Sequence, residues 1–111
     1  MLSHLQVIMM TSPRVESVFN RLRLANDESV LLRLSGRDCS TAVRLIVTFA
    51  IKCGYWRELR DYYGPAKIPG MLISGDYIRY YSMKVAEDVM RYRDPTFCWW
   101  LYQKIKLDLV H

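Results

Sequence analysis

Apolar side chains recur every three to four residues along most of this chain, which is the spacing of one face of an α-helix. The first helix is predicted to begin at Ser12-Pro13, because serine can accept amide hydrogen bonds and proline lacks only a donor that the first turn does not use. We expect it to end near Asn26, a residue that tolerates the left-handed conformation. Its apolar face consists of Val15, Val18, Phe19 and Leu22.

A short second helix is predicted to begin at Asp27 and to end at Gly36. A strand over residues 30–34 is the alternative for the same segment. The apolar face of the helix consists of Val30, Leu31 and Leu34.

The third helix is predicted to begin at Asp38 or Ser40 and to end at Gly54. Between Thr41 and Cys53, apolar residues occupy nearly every side of this helix. Because a helix that is apolar all round lies at the centre of a domain, we expect the other helices to pack around it.

Two proline-containing turns divide the rest of the chain. An amphipathic helix over 55–63 is ended by Gly64-Pro65, and a loop follows over 65–75. A longer helix is predicted over 76–93, and Asp94-Pro95 then starts the last helix. The apolar faces of these two helices are Ile78, Tyr81, Val85, Val89 and Tyr92 in one, and Phe97, Cys98, Leu101, Ile105 and Leu109 in the other.

These elements predict an all-α fold, a compact single-domain bundle or orthogonal array of five to six short helices. The length of 111 residues suits one domain over 1–111, with residues 1–11 as a candidate arm. The alternative fold is α+β, with a small sheet made by residues 5–10, 30–34 and 71–73.

Composition narrows the class of protein. Hydrophobic residues make up 51% of the chain and charged residues 24%, which are globular values. Three cysteines, an odd number set in apolar helical patterns, favour packed thiols in a reducing compartment. Because we find no convincing signal peptide and no apolar run long enough to span a membrane, we expect an intracellular protein of the cytoplasm or nucleus.

Candidate catalytic chemistry is sparse. The only histidines are His4 and His111, near the chain ends, and no nucleophile, phosphate-loop or dinucleotide-binding motif is found. No set of closely spaced metal ligands is found either. We therefore predict that the protein is not an enzyme and that it uses no cofactor, no metal and no small-molecule substrate.

Aromatic residues are concentrated in the last helix, at Phe97, Trp99, Trp100 and Tyr102, and Trp56 with Tyr62 and Tyr63 could extend the cluster. Rings that a single domain leaves outside its core form an apolar surface, which is typical of partner interfaces. This pattern favours a small regulator, inhibitor or assembly subunit that binds a protein partner or forms a homo-oligomer. The alternative is a last helix that lies deep in a groove. The residues predicted to bind protein are Trp56, Trp99, Trp100 and Tyr102.

Nucleic-acid binding, to RNA or DNA, is the alternative function, because the net charge is +5 and the pI is about 9.3. Ala50 and Gly54 are spaced as in a helix-turn-helix, and tyrosines alternate with basic residues on the helix over 76–93. An ordinary helix corner and snorkelling basic side chains explain the same features. The residues predicted to contact phosphates are Arg57, Arg60, Arg79, Arg91 and Arg93.

Overall fold

The computed structural model describes residues 12–64 and 75–110, and in these residues it contains six helices and no strand. The helices are α1 Pro13–Leu24, α2 Ser29–Arg33, α3 Gly36–Lys52, α4 Trp56–Tyr63, α5 Gly75–Tyr92 and α6 Thr96–Val110. The predicted all-α class is confirmed, and the alternative strand over 30–34 is wrong. The other two segments of the alternative sheet, and the candidate arm, lie outside the described residues.

None of these six helices is both long enough and apolar enough to cross a membrane.

Serine side chains set the starts of α1 and α3. Ser12 Oγ accepts a hydrogen bond from the backbone N–H of Val15 at 3.4 Å, and Ser35 Oγ accepts one from that of Asp38 at 3.3 Å. Each hydroxyl satisfies one of the amide groups that a helix start leaves without an intrahelical partner. Because Ser35 supplies this cap, α3 begins at Gly36. The predicted start two to four residues later is therefore wrong, and Gly36 opens a helix instead of ending one.

The third helix is the centre of the fold, as its apolar pattern predicts. It contacts all five other helices of the described chain. Burial on several sides explains these contacts, because each neighbour covers a different part of the α3 surface. Its buried residues are Cys39, Ala42, Val43, Ile46, Val47, Phe49 and Ala50.

The most extensive contact of α3 is with α5, and the two helices run antiparallel. Thr48, late in α3, lines the same cavity as Ile78, early in α5. At the opposite end, burial raises the pKa of the Cys39 thiol, and the charge of the neighbouring Arg93 lowers it to a smaller extent. This arrangement places residues of the first half of α5 beside the second half of α3.

The predicted apolar face of α5 is buried at its three middle members, whereas Ile78 is half-buried in the wall of a cavity. Tyr81, Val85 and Val89 are buried, whereas Tyr92 is 69% exposed. Tyr92 is the last residue of α5, and the chain turns there through Arg93, which has a φ of 50°. The Tyr92 ring therefore lines a surface groove instead of entering the core, and its assignment to the core is wrong.

Two of the three thiols pack in the core. Cys39 and Cys98 are buried free cysteines, and burial raises the pKa of both thiols, which keeps them neutral near pH 7. Cys53 is exposed at the C-terminal end of α3. The expected packing of all three thiols is therefore wrong for Cys53.

Candidate functional site: an aromatic surface and an arginine-lined cavity

Three rings from α4 and α6 form a continuous stack at the protein surface. Tyr62 stacks on Phe97 with ring centroids 4.3 Å apart and planes inclined by 6°, and Phe97 stacks on Trp100 at 5.3 Å and 24°. We call Tyr62, Phe97 and Trp100 the aromatic row. Its two outer rings remain accessible, with Tyr62 48% exposed and Trp100 38% exposed. Stacking thus leaves the middle ring half-buried and the two outer rings partly exposed.

Neighbouring side chains fix the orientation of the aromatic row. Phe97 and Trp100 are three residues apart on α6, so they share one face of that helix. Tyr63 meets Phe97 edge-on at 5.6 Å, and Tyr55 meets Trp100 edge-on at 6.1 Å. Lys104 Nζ lies 5.4 Å from the centre of the Trp100 ring, within the range of a cation–π interaction.

Asp94 connects the aromatic row to the start of α6. Its Oδ2 accepts a hydrogen bond from the Tyr62 hydroxyl at 2.7 Å, and its Oδ1 accepts one from the backbone N–H of Thr96 at 3.3 Å. The hydrogen bond from Tyr62 is the main cause that lowers the pKa of the Asp94 carboxyl below 3.8. The same hydrogen bond raises the pKa of Tyr62 above 10.0. At neutral pH, the site therefore holds a carboxylate beside a neutral phenol.

A groove of about 320 Å³ borders the aromatic row. Two carboxylates, Asp88 and Asp94, lie along it beside aromatic rings. The hydroxyl of Tyr63 is buried with no hydrogen-bond partner among the described residues, and burial raises the pKa of that phenol. The groove therefore joins negative charge to an apolar wall. Its lining residues are Tyr62, Tyr63, Asp88, Val89, Tyr92 and Asp94.

The four residues predicted to bind protein lie at different depths. Trp100 is at the surface, and Trp56 and Trp99 are half-buried. Trp56 packs against Tyr81, with ring centroids 4.8 Å apart. Tyr102 is only 2% exposed and belongs to the core, so we correct its assignment to the surface. Of the aromatic residues of α6, Tyr102 lies in the core, Trp99 packs half-buried against it, and Phe97 and Trp100 belong to the aromatic row.

A buried tyrosine holds α4 in place beneath the row. The Tyr81 hydroxyl lies 3.2 Å from the carbonyl oxygen of Leu59 and 2.9 Å from that of Gly64, so it can donate to either. Burial raises the pKa of Tyr81 to about 12. The neutral hydroxyl therefore ties α5 to the last turn of α4, which carries Tyr62 and Tyr63.

The five arginines predicted to contact phosphates are all exposed, but the structure does not bring them to one place. Arg57 and Arg60 lie on α4, where the Arg60 guanidinium lies 5.7 Å from the centre of the Trp56 ring. Arg79 and Arg91 are on the same helix, but they are separated by about 18 Å along its axis. Arg93 follows the end of α5.

A different set of arginines does converge. Arg14, Arg44 and Arg79, from α1, α3 and α5, line one cavity of about 370 Å³, which we call the arginine cavity. Of these three, the sequence predictions include only Arg79. A signal for Arg44 is present in the sequence, since it is the one charged residue in the apolar run over 41–51.

The hydroxyl groups of the arginine cavity are already used as donors. Thr41 Oγ1 donates to the carbonyl oxygen of Arg37 at 3.0 Å, and Thr48 Oγ1 donates to that of Arg44 at 2.7 Å. Ser82 Oγ donates likewise within α5, at 2.8 Å. In this conformation, the hydroxyl oxygens can still accept hydrogen bonds, and the guanidinium groups supply the charged donors of the cavity.

The described side chains contain no group of three or more histidine, cysteine, aspartate or glutamate residues that could hold a metal ion. Comparison of the chain with protein-family models, with curated proteins and with solved structures found no match. The arguments about function therefore rest on the aromatic row, the groove and the arginine cavity.

Proposed function

We propose that this protein is a non-catalytic protein-interaction module, a small regulator, inhibitor or assembly subunit, and that it binds polypeptide through the aromatic row. The observation that carries the proposal is the exposure of Tyr62 and Trp100 while Phe97, stacked between them, holds both rings in position. Rings fixed in advance lose little side-chain entropy on binding, and tryptophan and tyrosine contribute strongly to interface energies.

The adjoining groove indicates the chemistry of the partner. The carboxylate of Asp94 is ionised at neutral pH, and Asp88 borders the same space. A lysine or arginine of the partner would meet negative charge there, directly beside apolar rings. We therefore expect a partner segment with one aromatic or aliphatic anchor on the aromatic row and a basic residue in the groove.

Nucleic-acid binding stays the second hypothesis. Phosphate contacts act together when basic side chains converge on one surface. Arg57 and Arg60 lie on α4, whereas Arg79 and Arg91 lie near opposite ends of α5. This spread favours polypeptide over nucleic acid as the partner of the exposed surface.

The test uses a photo-crosslinking aromatic amino acid at position 62 and, as a matched control, at position 80. Tyr62 and Tyr80 are exposed to a similar extent, 48% and 53%, but Tyr80 lies on α5, outside the aromatic row. Irradiation in an extract of the source cells should give a discrete protein adduct from position 62 and none from position 80. The partner, purified after identification by mass spectrometry, should bind the Trp100→Ala variant at least about tenfold more weakly than the unchanged chain.

Two results would contradict the proposal. One is an equal adduct from both positions, or an unchanged affinity of the Trp100→Ala variant for the purified partner. The other is a combination of observations: no protein adduct forms, and in size-exclusion chromatography with light scattering, short RNA or DNA shifts the elution of the chain at low salt but not at high salt. That second pattern would make nucleic-acid binding the function.

A further inference from the structure

The arginine cavity gathers positive charge with little to balance it. Among the described side chains, one carboxylate pairs with its arginines: Asp38 Oδ1 lies 3.8 Å from Arg14 Nε. Residues 1–11 and 65–74, which the structure does not describe, contain no aspartate or glutamate, and Asp108 is the one acidic residue whose side chain lies outside the description. Three guanidinium groups around one partly enclosed space repel one another, so a bound anion would lower the electrostatic energy of the folded chain.

Arg44 is the arginine that the central helix contributes to the cavity. Its Nε is buried and has no hydrogen-bond acceptor among the described residues. Buried guanidinium N–H groups are normally hydrogen-bonded, because an unpaired buried donor is destabilising. Arg44 lies on the central helix α3 and lines the cavity, and its Nε is closed to solvent, so it is the delocalised charge of the guanidinium group that would attract an anion there.

The donors of the cavity favour a phosphate group. A guanidinium group presents several N–H donors in a planar fork that matches the oxygens of a phosphate. The hydroxyl groups of Thr41, Thr48 and Ser82 donate to backbone carbonyls, so they leave the anion to the arginines. A dianionic phosphate balances more of the charge of three arginines than a single carboxylate does.

The remaining walls favour an organic group attached to that phosphate. Val15, Leu45 and Ile78 line the same cavity, and its volume of about 370 Å³ is in the range of small-molecule sites. We propose that the arginine cavity binds a small phosphate monoester, with its phosphate on the three arginines and its organic part on these apolar side chains. This ligand site lies between α1, α3 and α5 and does not depend on the aromatic row.

Isothermal titration calorimetry of the full chain tests the chemical class of the ligand. The probes are phenyl phosphate, inorganic phosphate and benzoate, titrated at one ionic strength in a phosphate-free buffer. Phenyl phosphate should bind saturably with one site, and roughly tenfold more tightly than either other probe, because inorganic phosphate lacks the apolar group and benzoate has a single charge. Equal affinity for phenyl phosphate and inorganic phosphate, or for phenyl phosphate and benzoate, would overturn the monoester assignment.

Matched variants test the place of the site. Arg79→Gln and Arg91→Gln each remove one positive charge from an exposed position of α5, but only Arg79 lines the cavity. Arg79→Gln should weaken phenyl phosphate binding by roughly tenfold or more, and Arg91→Gln by less than about twofold. Arg14→Gln, on a different helix, should repeat the loss. Circular dichroism checks that each variant is folded.

Three further results would overturn the proposal. No saturable binding of phenyl phosphate would remove the site. Equal weakening by Arg79→Gln and Arg91→Gln would assign the binding to overall positive charge. The third result is that no monoester binds but a short RNA does, with the same loss of affinity in both variants. The arginines would then belong to a dispersed nucleic-acid-binding surface and not to a ligand site.

Discussion

The aromatic row on α4 and α6 is held together by attraction among its members, whereas the arginine cavity between α1, α3 and α5 gathers groups that repel one another. Tyr62, Phe97 and Trp100 stack at 4.3 and 5.3 Å, so their contacts stabilise the fold before any partner binds. Arg44 and Arg79 have no carboxylate partner among the described side chains. Without partner or ligand, removing a ring of the aromatic row should therefore lower the free energy of unfolding, whereas removing a guanidinium group of the arginine cavity should raise it.

Phe97→Ala should give the largest change. Phe97 contacts both outer rings of the aromatic row and the edge of Tyr63, so its removal eliminates three aromatic contacts at once. We expect the free energy of unfolding to fall by roughly 2–3 kcal/mol, below the full cost of a completely buried phenylalanine. Urea denaturation monitored by circular dichroism measures this free energy. Tyr92→Ala is the control, because this exposed ring should change the stability by less than about 0.5 kcal/mol. Equal effects of the two substitutions would mean that the stack does not stabilise the fold.

Arg44→Met should act in the opposite direction. Methionine keeps the length of the side chain and removes a charge whose buried Nε has no acceptor among the described residues. In phosphate-free buffer at low salt, we expect the free energy of unfolding to rise by about 1 kcal/mol. Arg91→Met should leave it nearly unchanged, since Arg91 is exposed. Phenyl phosphate should then stabilise the unchanged chain and not Arg44→Met. A clear loss of stability in Arg44→Met would show that the guanidinium is already satisfied in the folded chain.

Tyr62→Phe should have the smallest effect on stability and a distinct effect on pH dependence. The substitution keeps the ring in the stack and deletes the hydroxyl that donates to Asp94. Because the pKa of Asp94 is lowered in the folded chain, its contribution to stability is present above about pH 4 and is lost as the pH falls through the lowered pKa. The pair is well exposed to solvent, so the loss at neutral pH should stay below about 1 kcal/mol.

An NMR titration of the Asp94 carboxyl carbon measures this effect directly. In Tyr62→Phe, the pKa of Asp94 should move up toward its ordinary value of 3.8. Asp27 serves as an internal control, because hydrogen bonds from Ser29 lower its pKa and the substitution leaves these bonds in place. An unchanged pKa of Asp94 would assign the lowering to the hydrogen bond from the Thr96 backbone instead of the Tyr62 hydroxyl.

The sequence predicted well where a local signal decides the structure. The cap at Ser12 and the glycines at 54 and 64, which have φ values of 95° and 91°, act where the pattern indicates. Gly36 is compatible with either end of a helix, so the glycine alone does not show whether it ends α2 or begins α3. The cap formed by Ser35 places it at the start of α3. Tyr92 is in phase with the buried face of α5, yet it lies where the helix ends and its neighbours no longer cover it.

The candidate sites were predicted only in part. Trp100 was expected at a binding surface and is exposed, but Tyr102, two residues later, lies in the core. The concentration of aromatic residues in the last helix predicts exposure equally for both rings. Only the side of α6 that packs against the core decides which ring is buried. The stack of Tyr62 on Phe97 likewise requires α4 and α6 to meet, which no spacing within either helix shows.

The sequence by itself determined the helical class, the position of most helix ends and the central place of α3, because caps, glycines and apolar periodicity act over a few residues. The tertiary structure alone decided which aromatic rings remain outside and which arginines meet. Arg14 and Arg79 are far apart in the chain, and they line one cavity because α1 and α5 both pack on α3 beside Arg44. Convergence of this kind depends on the relative position of three helices, and periodicity within one helix carries no information about it.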